Sequence, residues 1–249
     1  MPAAAVAPAS AAPGFYGKLP ARGDFVGRRL ARGFVDAWDS WLQHAILASR
    51  TELGNGWLGL YLSSPIWRFA LSPLACGPEA VAGVMIPSVD SVGRYFPLMI
   101  GSAVGADIDV EELVTGSDDW YAAIETRILS TLEEGFAFES LEVSLPVEPA
   151  QAGAGAQGDD VIAPPGWHFP ASAERRPSEA ALDRLRGARK PLSIWWTDGS
   201  DYIAPCCVIS AGLPPPHAFA SMLDGLWGER GWLMLDEPAD GEDLSDEKD

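Results

Sequence analysis

The stretch Val81-Ala82-Gly83-Val84-Met85-Ile86, the segment Pro87-Ser88-Val89-Asp90-Ser91-Val92-Gly93-Arg94, and the run Tyr95-Phe96-Pro97-Leu98-Met99-Ile100-Gly101-Ser102-Ala103-Val104 together decide the fold class. Two apolar runs flank a segment of Pro, Ser, Asp and Gly, the pattern of two strands joined by a loop. With so short a connection the two can pair as a hairpin, which would present the loop at a sheet edge.

Working outward toward the N-terminus, Ile66 to Leu71 reads as another strand, set off by Pro65. Trp57, Leu58, Tyr61 and Leu62 make a short helical segment, and Gly54 and Gly56 close the helix before it. In that helix Phe34, Trp38, Trp41, Leu42, Ala45 and Ile46 recur at helical spacing as far as about Ser49. Phe15 to Leu19 is a short strand candidate, followed by the Pro20 to Asp24 loop. Toward the C-terminus a helix is expected over Asp118 to Glu134, capped by Ser117, with Asp118 and Asp119 at the positive end of its dipole and Gly135 beyond it. Leu141 to Val147 alternates like a strand. Residues 148–158, rich in Ala, Gly and Gln, read as a flexible loop, and Pro177-Ser178 opens a helix to about Arg186. Leu192 to Trp196 and Tyr202 to Ile209 flank Asp198-Gly199 as a hairpin. A short helix after Pro216 carries Phe219, Met222, Leu223 and Leu226.

Consecutive strands joined by short loops, with helices interspersed, predict an α+β fold whose central, largely antiparallel or mixed sheet is flanked by helices. A single domain is expected over residues 14–235, between a disordered Ala/Pro-rich segment at 1–13 and an acidic disordered tail at 236–249.

The 249 residues are 47% hydrophobic and include ten Trp, enough for a sizeable core. The formal charge of −18 is unevenly spread: residues 1–100 hold eight Lys/Arg against six Asp/Glu, and the remainder nine against twenty-nine. Such acidity opposes nucleic acid, whose affinity comes from Lys and Arg displacing counterions, and it opposes anchoring on anionic lipid. No run approaches the roughly 20 apolar residues of a membrane span, so no membrane insertion is expected. The N-terminus lacks a basic region, and Pro2, Pro8 and Pro13 interrupt its apolar stretch, unlike a signal peptide. Cys76, Cys206 and Cys207 are odd in number and form no C-x-x-C pair, so neither a disulfide framework nor a zinc site is indicated. Free thiols fit a cytoplasmic location.

The chain carries no G-x-S-x-G, H-E-x-x-H, P-loop or G-x-G-x-x-G signature. His44, His168 and His217 lie far apart, none in a metal spacing. A serine hydrolase built around Ser88, with Asp90 or Asp198 and His168, is the catalytic alternative, because triads are defined by geometry and not by order. Without a recognisable constellation, no catalysis, cofactor or metal is expected.

Two loops stand out. Gly17 to Phe25 sets Lys18, Arg22 and Asp24 between apolar anchors, and Pro87 to Pro97 does the same with Ser88, Asp90 and Arg94. Such residues either tie loops to the core or form a binding surface, since loops on a rigid scaffold carry recognition. Trp195 and Trp196 join these six as partner-binding candidates, because Trp and Arg are enriched at interface hot spots. On a two-residue period the two indoles cannot share a face, so one belongs to the core and the other is exposed or lies under a helix.

These same residues carry a family resemblance. Gly14-Phe15-Tyr16-Gly17-Lys18-Leu19-Pro20-Ala21-Arg22-Gly23-Asp24-Phe25-Val26, the Phe34-Val35 and Trp38 to Gln43 segments, Pro65 to Leu71, and Met85 to Leu98 closely resemble the TagF family, also called ImpM, of bacterial type VI secretion. Pro191 to Thr197 is similar to that family's Ser-x-Trp-Trp segment. The resemblance implies an accessory protein of the secretion apparatus that represses assembly or firing after translation, by protein–protein binding. Its implied partners are secretion components, among them a forkhead-associated scaffold protein. It brings no catalytic residues, and a structural assembly factor is the other role it leaves open.

Overall fold

The computed structural model describes residues 13–105, 110–143, 162, 165–171 and 191–235. Its elements are β1 (Gly14–Gly17), β2 (Val26–Arg28), α1 (Arg32–Leu53), α2 (Trp57–Leu62), β3 (Trp67–Leu71), β4 (Ala80–Ile86), β5 (Leu98–Gly105), α3 (Val110–Thr115), α4 (Asp118–Ser130), α5 (Phe138–Val143), β6 (Trp167–Pro170), β7 (Leu192–Thr197), β8 (Cys206–Ala211) and β9 (Leu233–Met234), with a helical turn at Ser221–Asp224. The strands form one sheet in the order β2-β1-β5-β4-β3-β7-β8-β6-β9. Every pairing is antiparallel except β6 with β9. The fold is therefore α+β with a mixed sheet.

Helices cover both faces. The face toward α1 holds Phe34, Trp38, Trp41 and Leu42 from that helix against Phe69, Met85, Met99 and Trp195. The opposite face holds Trp120, Tyr121, Ile124 and Ile128 of α4 against Ala82, Val84, Ile100 and Trp196. Strands covered on both sides read as unbroken apolar runs, and β4 and β7 are buried at every position. Gly83 of β4 is needed for this packing, since a Cβ there would stand 2.4 Å from Cζ of Phe69.

The β4–β5 hairpin forms as its sequence predicts, but β5 also pairs with β1 and β4 with β3, so its loop leaves an end of the sheet and not a lateral edge. The expected strand over Leu141 to Val147 is corrected: Phe138–Val143 is helical, and residues 144–147 lie outside the described residues. Phe138 and Leu141, three apart, pack toward the same core cluster, a spacing that fits a helix as well as the alternation fits a strand. Helix α4 stops at Ser130, where the Thr131 hydroxyl donates to the Ile128 carbonyl (2.6 Å), and the Ser117 carbonyl, not its side chain, receives the Tyr121 N–H. The readings for residues 1–12, 148–158, 177–186 and 236–249 lie outside the described residues.

The registers Tyr16 to Met99, Met85 to Met99, Trp67 to Met85, Arg68 to Trp196 and Thr197 to Cys206 align one end of the sheet. The β1–β2, β4–β5 and β7–β8 loops and the chain entering β3 all emerge there, so the topology gathers the two conspicuous loops.

Candidate functional site

Strand β1 ends at Gly17, whose φ of +142° and close approach to the Pro97 carbonyl (2.1 Å from a would-be Cβ) admit no side chain. The β1–β2 loop therefore starts pressed against the end of the β4–β5 loop. Lys18, 4% exposed, reaches across and donates from Nζ to Oδ2 of Asp90 at 2.5 Å. Asp90, 3% exposed, also accepts from the backbone N–H groups of Val92 (3.0 Å) and Arg94 (2.8 Å) and from Arg94 Nε (2.7 Å). An aspartate binding the backbone two and four residues ahead organises its own turn, closed here by Gly93 N–H to the Asp90 carbonyl. Burial alone pushes the Asp90 carboxyl upward, but the Lys18 ammonium, the Arg94 and Val92 amides and the Arg94 guanidinium hold it well below the usual carboxylate range.

Further bonds fuse the loops. The Ser88 hydroxyl donates to the Lys18 carbonyl (2.7 Å), the Ser91 N–H to the Arg22 carbonyl (3.0 Å), and the Arg94 guanidinium to the Gly23 carbonyl. Tyr61 of α2 clamps the assembly from below: its hydroxyl donates to the Ser88 carbonyl (2.9 Å) and accepts from the Ser88 N–H (3.0 Å).

What reaches solvent is a mixed surface. Phe25, 44% exposed, rests on Tyr16 and Phe96 with ring centroids 5.6 and 4.8 Å away, and the Lys18 ammonium lies 4.5 Å from its ring. Val92, at the tip of its loop, is 68% exposed. Around them stand Arg22, ion-paired with Glu139 of α5 (3.2 Å) over the Phe138 ring, Arg94, and exposed Asp24, 4.0 Å from Arg94.

Of the predicted residues, Lys18, Ser88 and Asp90 thus form the buried frame, and Arg22, Asp24 and Arg94 sit on the surface it supports. Trp195 and Trp196 are corrected. Trp195 is fully buried among Trp38, Trp41 and Phe69, and Trp196 packs edge-on to Tyr121 beneath α4, so neither can touch a partner of the folded chain. The hydrolase constellation around Ser88 is not assembled either. His168 on β6 is stacked on Trp227 and lies four strand positions from β4, about 19 Å at the usual ~4.8 Å spacing, while Asp198 accepts from Arg68 (2.9 Å).

Tyr61, Phe25, Val92, Phe138 and Glu139 are members of the site that residue types alone do not single out. Tyr61 shares a helix face with Trp57 and reads as core. An isolated valine between Ser91 and Gly93 in a polar loop is the one available signal. Among the described residues no group of His, Cys, Asp and Glu is arranged to hold a metal, and no helix is long and apolar enough to cross a membrane. Burial pushes the Cys76 and Cys206 thiols up to about 12, which removes their thiolate reactivity. Under the β4–β5 loop, Tyr61, Pro65, Trp67, Pro87 and Phe219 line a notch of about 10 Å³, room for about one water molecule and far below the roughly 300–1,000 Å³ of small-molecule sites.

Comparison with known proteins supplies the remaining finding. The model of the TagF N-terminal domain, described as type VI secretion system-associated, matches residues 14–146, a span that contains both fused loops. The crystal structure of PA0076 from Pseudomonas aeruginosa PAO1, determined at 2.05 Å resolution, is similar with a TM-score of 0.70 and 39% sequence identity, over 86% of this chain and 94% of that one. No curated protein matches.

Proposed function

This chain belongs to the TagF family of type VI secretion system-associated proteins, and on that premise we propose that it is a regulatory, repressing accessory protein that works in the cytoplasm, after translation, by occupying a protein partner. The observation that carries this reading is the fused loop surface. A hydrogen-bonded ion pair is buried beneath Phe25, Val92, Arg22 and Arg94, which leaves apolar and cationic groups held in place at the surface. Interfaces with that composition derive their affinity from aromatic and arginine anchors and their specificity from fixed polar neighbours. The polar groups that a hydrolase would need, Ser88 and Asp90, are instead committed to holding the loops. A forkhead-associated scaffold protein of the secretion system is the candidate partner, on the strength of the family resemblance.

The test joins a cellular and a biochemical measurement. Deleting the gene raises effector secretion, and the wild-type chain used as bait recovers a secretion component from lysate. Val92→Asp places a charge on an exposed tip that makes no packing contact with the core, so its melting temperature stays within about 2 °C of wild type while partner recovery falls at least about tenfold. Recovery at the wild-type level with this variant sinks the assignment of the surface, and unchanged secretion after deletion sinks the regulatory role.

A further inference from the structure

A second site lies on helix α4. We propose that Arg127 binds a small oxyanion, a carboxylate or a phosphate group, through the side-on edge of its guanidinium. Nε and Nη2 of Arg127 are buried, and among the described residues neither meets an acceptor. These two nitrogens form the edge through which an arginine takes a carboxylate with paired, parallel bonds. Arg68 of the same protein uses it so: its Nε donates to Oε1 of Glu125 and its Nη2 to Oε2 at 3.1 Å. The indole Nε1 of Trp120, seven residues earlier and so on the same side of α4, is likewise buried without an acceptor among the described residues. One flank of the helix thus buries three N–H donors and, among the described residues, no oxygen that receives them.

Other roles for Arg127 leave this edge unexplained. Its place in the last turn of α4 suits a cation, since the carbonyls there carry partial negative charge, but that does not account for a fork turned inward. The Phe136 ring lies 6.0 Å from Cζ, the outer limit of a cation–π contact, and satisfies no N–H. The carboxylates nearest in sequence are committed or in solvent: Glu125 is held by Arg68, Glu139 by Arg22, and Glu133 and Glu134 are exposed. A buried donor on a charged group costs more to leave unpaired than a neutral one, so an apolar side chain of similar length would serve packing alone better. The residue is only partly exposed, which limits the ligand to a small one, and entry is at the turn that follows the helix. Leu132 to Gly135 are exposed there, and backbone bonds of 3.0–3.2 Å, each spanning three residues, hold the turn. Helix α5, whose Glu139 pairs with Arg22 of the loop surface, begins two residues after Phe136.

The full chain, isotopically labelled for magnetic resonance, is titrated with sodium phosphate and, separately, with sodium acetate, each against sodium chloride at the same ionic strength. At least one of the two anions shifts the Arg127 Nε–Hε resonance along a saturable curve, and at about a tenfold excess over its Kd raises the melting temperature by about 3–6 °C. The stronger of the two responses tells a phosphate from a carboxylate. Arg127→Met melts at or above wild type in chloride and loses the saturable response. Arg127→Lys keeps the charge but not the fork, and binds at least about tenfold more weakly. Val92→Asp responds like wild type, which keeps the result independent of the loop surface. A melting temperature that rises linearly with anion, and equally in wild type and Arg127→Met, is a general solvent effect and overturns the proposal. So does an Nε–Hε resonance that neither anion moves. Arg127→Met melting well below wild type in chloride overturns it by showing that water already satisfies the edge. A resonance moved in chloride by Glu133→Gln with Glu134→Gln does the same by assigning the edge to the chain's own carboxylates.

Discussion

Tyr61→Phe removes one oxygen atom and tests whether the loop surface is held from below. The Tyr61 hydroxyl makes two hydrogen bonds, both to the backbone of Ser88, in a setting where the tyrosine is 1% and Ser88 3% exposed. The two losses are unequal. The Ser88 carbonyl keeps the N–H of Phe96 as a second donor at 3.1 Å, so there the substitution removes about 1 kcal/mol of net hydrogen bonding. Among the described residues the Ser88 N–H has only the phenol, and leaving it buried and unpaired costs about 1–3 kcal/mol. The sum is about 2–4 kcal/mol, which for a domain of this size lowers the melting temperature by about 4–15 °C. Chemical denaturation, with an unchanged dependence on denaturant, gives the free energy. Hydrogen exchange at the Ser88 amide locates the damage in the β4–β5 loop. Tyr202→Phe is the control, because that side chain is 55% exposed and its oxygen is hydrated in either state. If Tyr61→Phe stays within about 0.5 kcal/mol of wild type, the clamp is not a source of order for the loops, and the account of a pre-formed surface fails.

Two further outcomes follow from the core and from the ion pair. Trp195→Ala leaves a cavity among Trp38, Trp41 and Phe69 and costs about 3–5 kcal/mol in denaturant unfolding, without a selective loss of partner recovery at temperatures where the variant is folded. Because the Asp90 carboxyl titrates lower in the folded chain than in the unfolded one, its contribution to stability is complete above the unfolded value near ~3.9 and is lost as pH falls through the folded value below it. The gap in melting temperature between wild type and Asp90→Asn is therefore constant from about pH 5 to 8 and narrows below about pH 4; a gap that narrows on the alkaline side would show that another group governs it.

Helix α1 is legible in the sequence because its apolar residues repeat at a strong helical period, and the β4–β5 and β7–β8 hairpins because Pro, Asp and Gly turn residues punctuate unbroken apolar runs. Strands β2 and β9, of three and two residues, carry no period at all, and only pairing with a neighbour makes them strands. At Phe138–Val143 the residues satisfy both periods, and packing of Phe138 and Leu141 against the core decides for helix. Trp195 and Trp196 show the limit of a correct local rule. Alternation does place them on opposite faces, but whether the second face is open depends on α4, which lies more than sixty positions away in the sequence. The site has the same character. Lys18 and Asp90 are conspicuous as residue types, yet their separation of 72 positions conceals that they are one ion pair, and nothing local to Tyr61 announces its bonds to Ser88.

That buried pair also explains why the surface is built as it is. Apolar residues in place of Lys18 and Asp90 would avoid the desolvation of two charges, and such replacements are often neutral or stabilising in other proteins. They would lack direction, however. Asp90 receives Lys18 from one loop and two backbone amides and a guanidinium from the other, so a single carboxylate fixes the turn, the crossing of the loops and the position of Arg94. Glycine at position 17 brings the loops close enough for that reach, and Tyr61 sets their height above the sheet. The net charge of −18 is mostly the property of the chain after residue 100, and the fused loops belong to the part before it. The fused loops lie at one corner of the sheet, where β1 and β2 meet the end of β4 and the start of β5. There an ion pair hidden from solvent orders the exposed aromatic, aliphatic and arginine groups that a partner would meet.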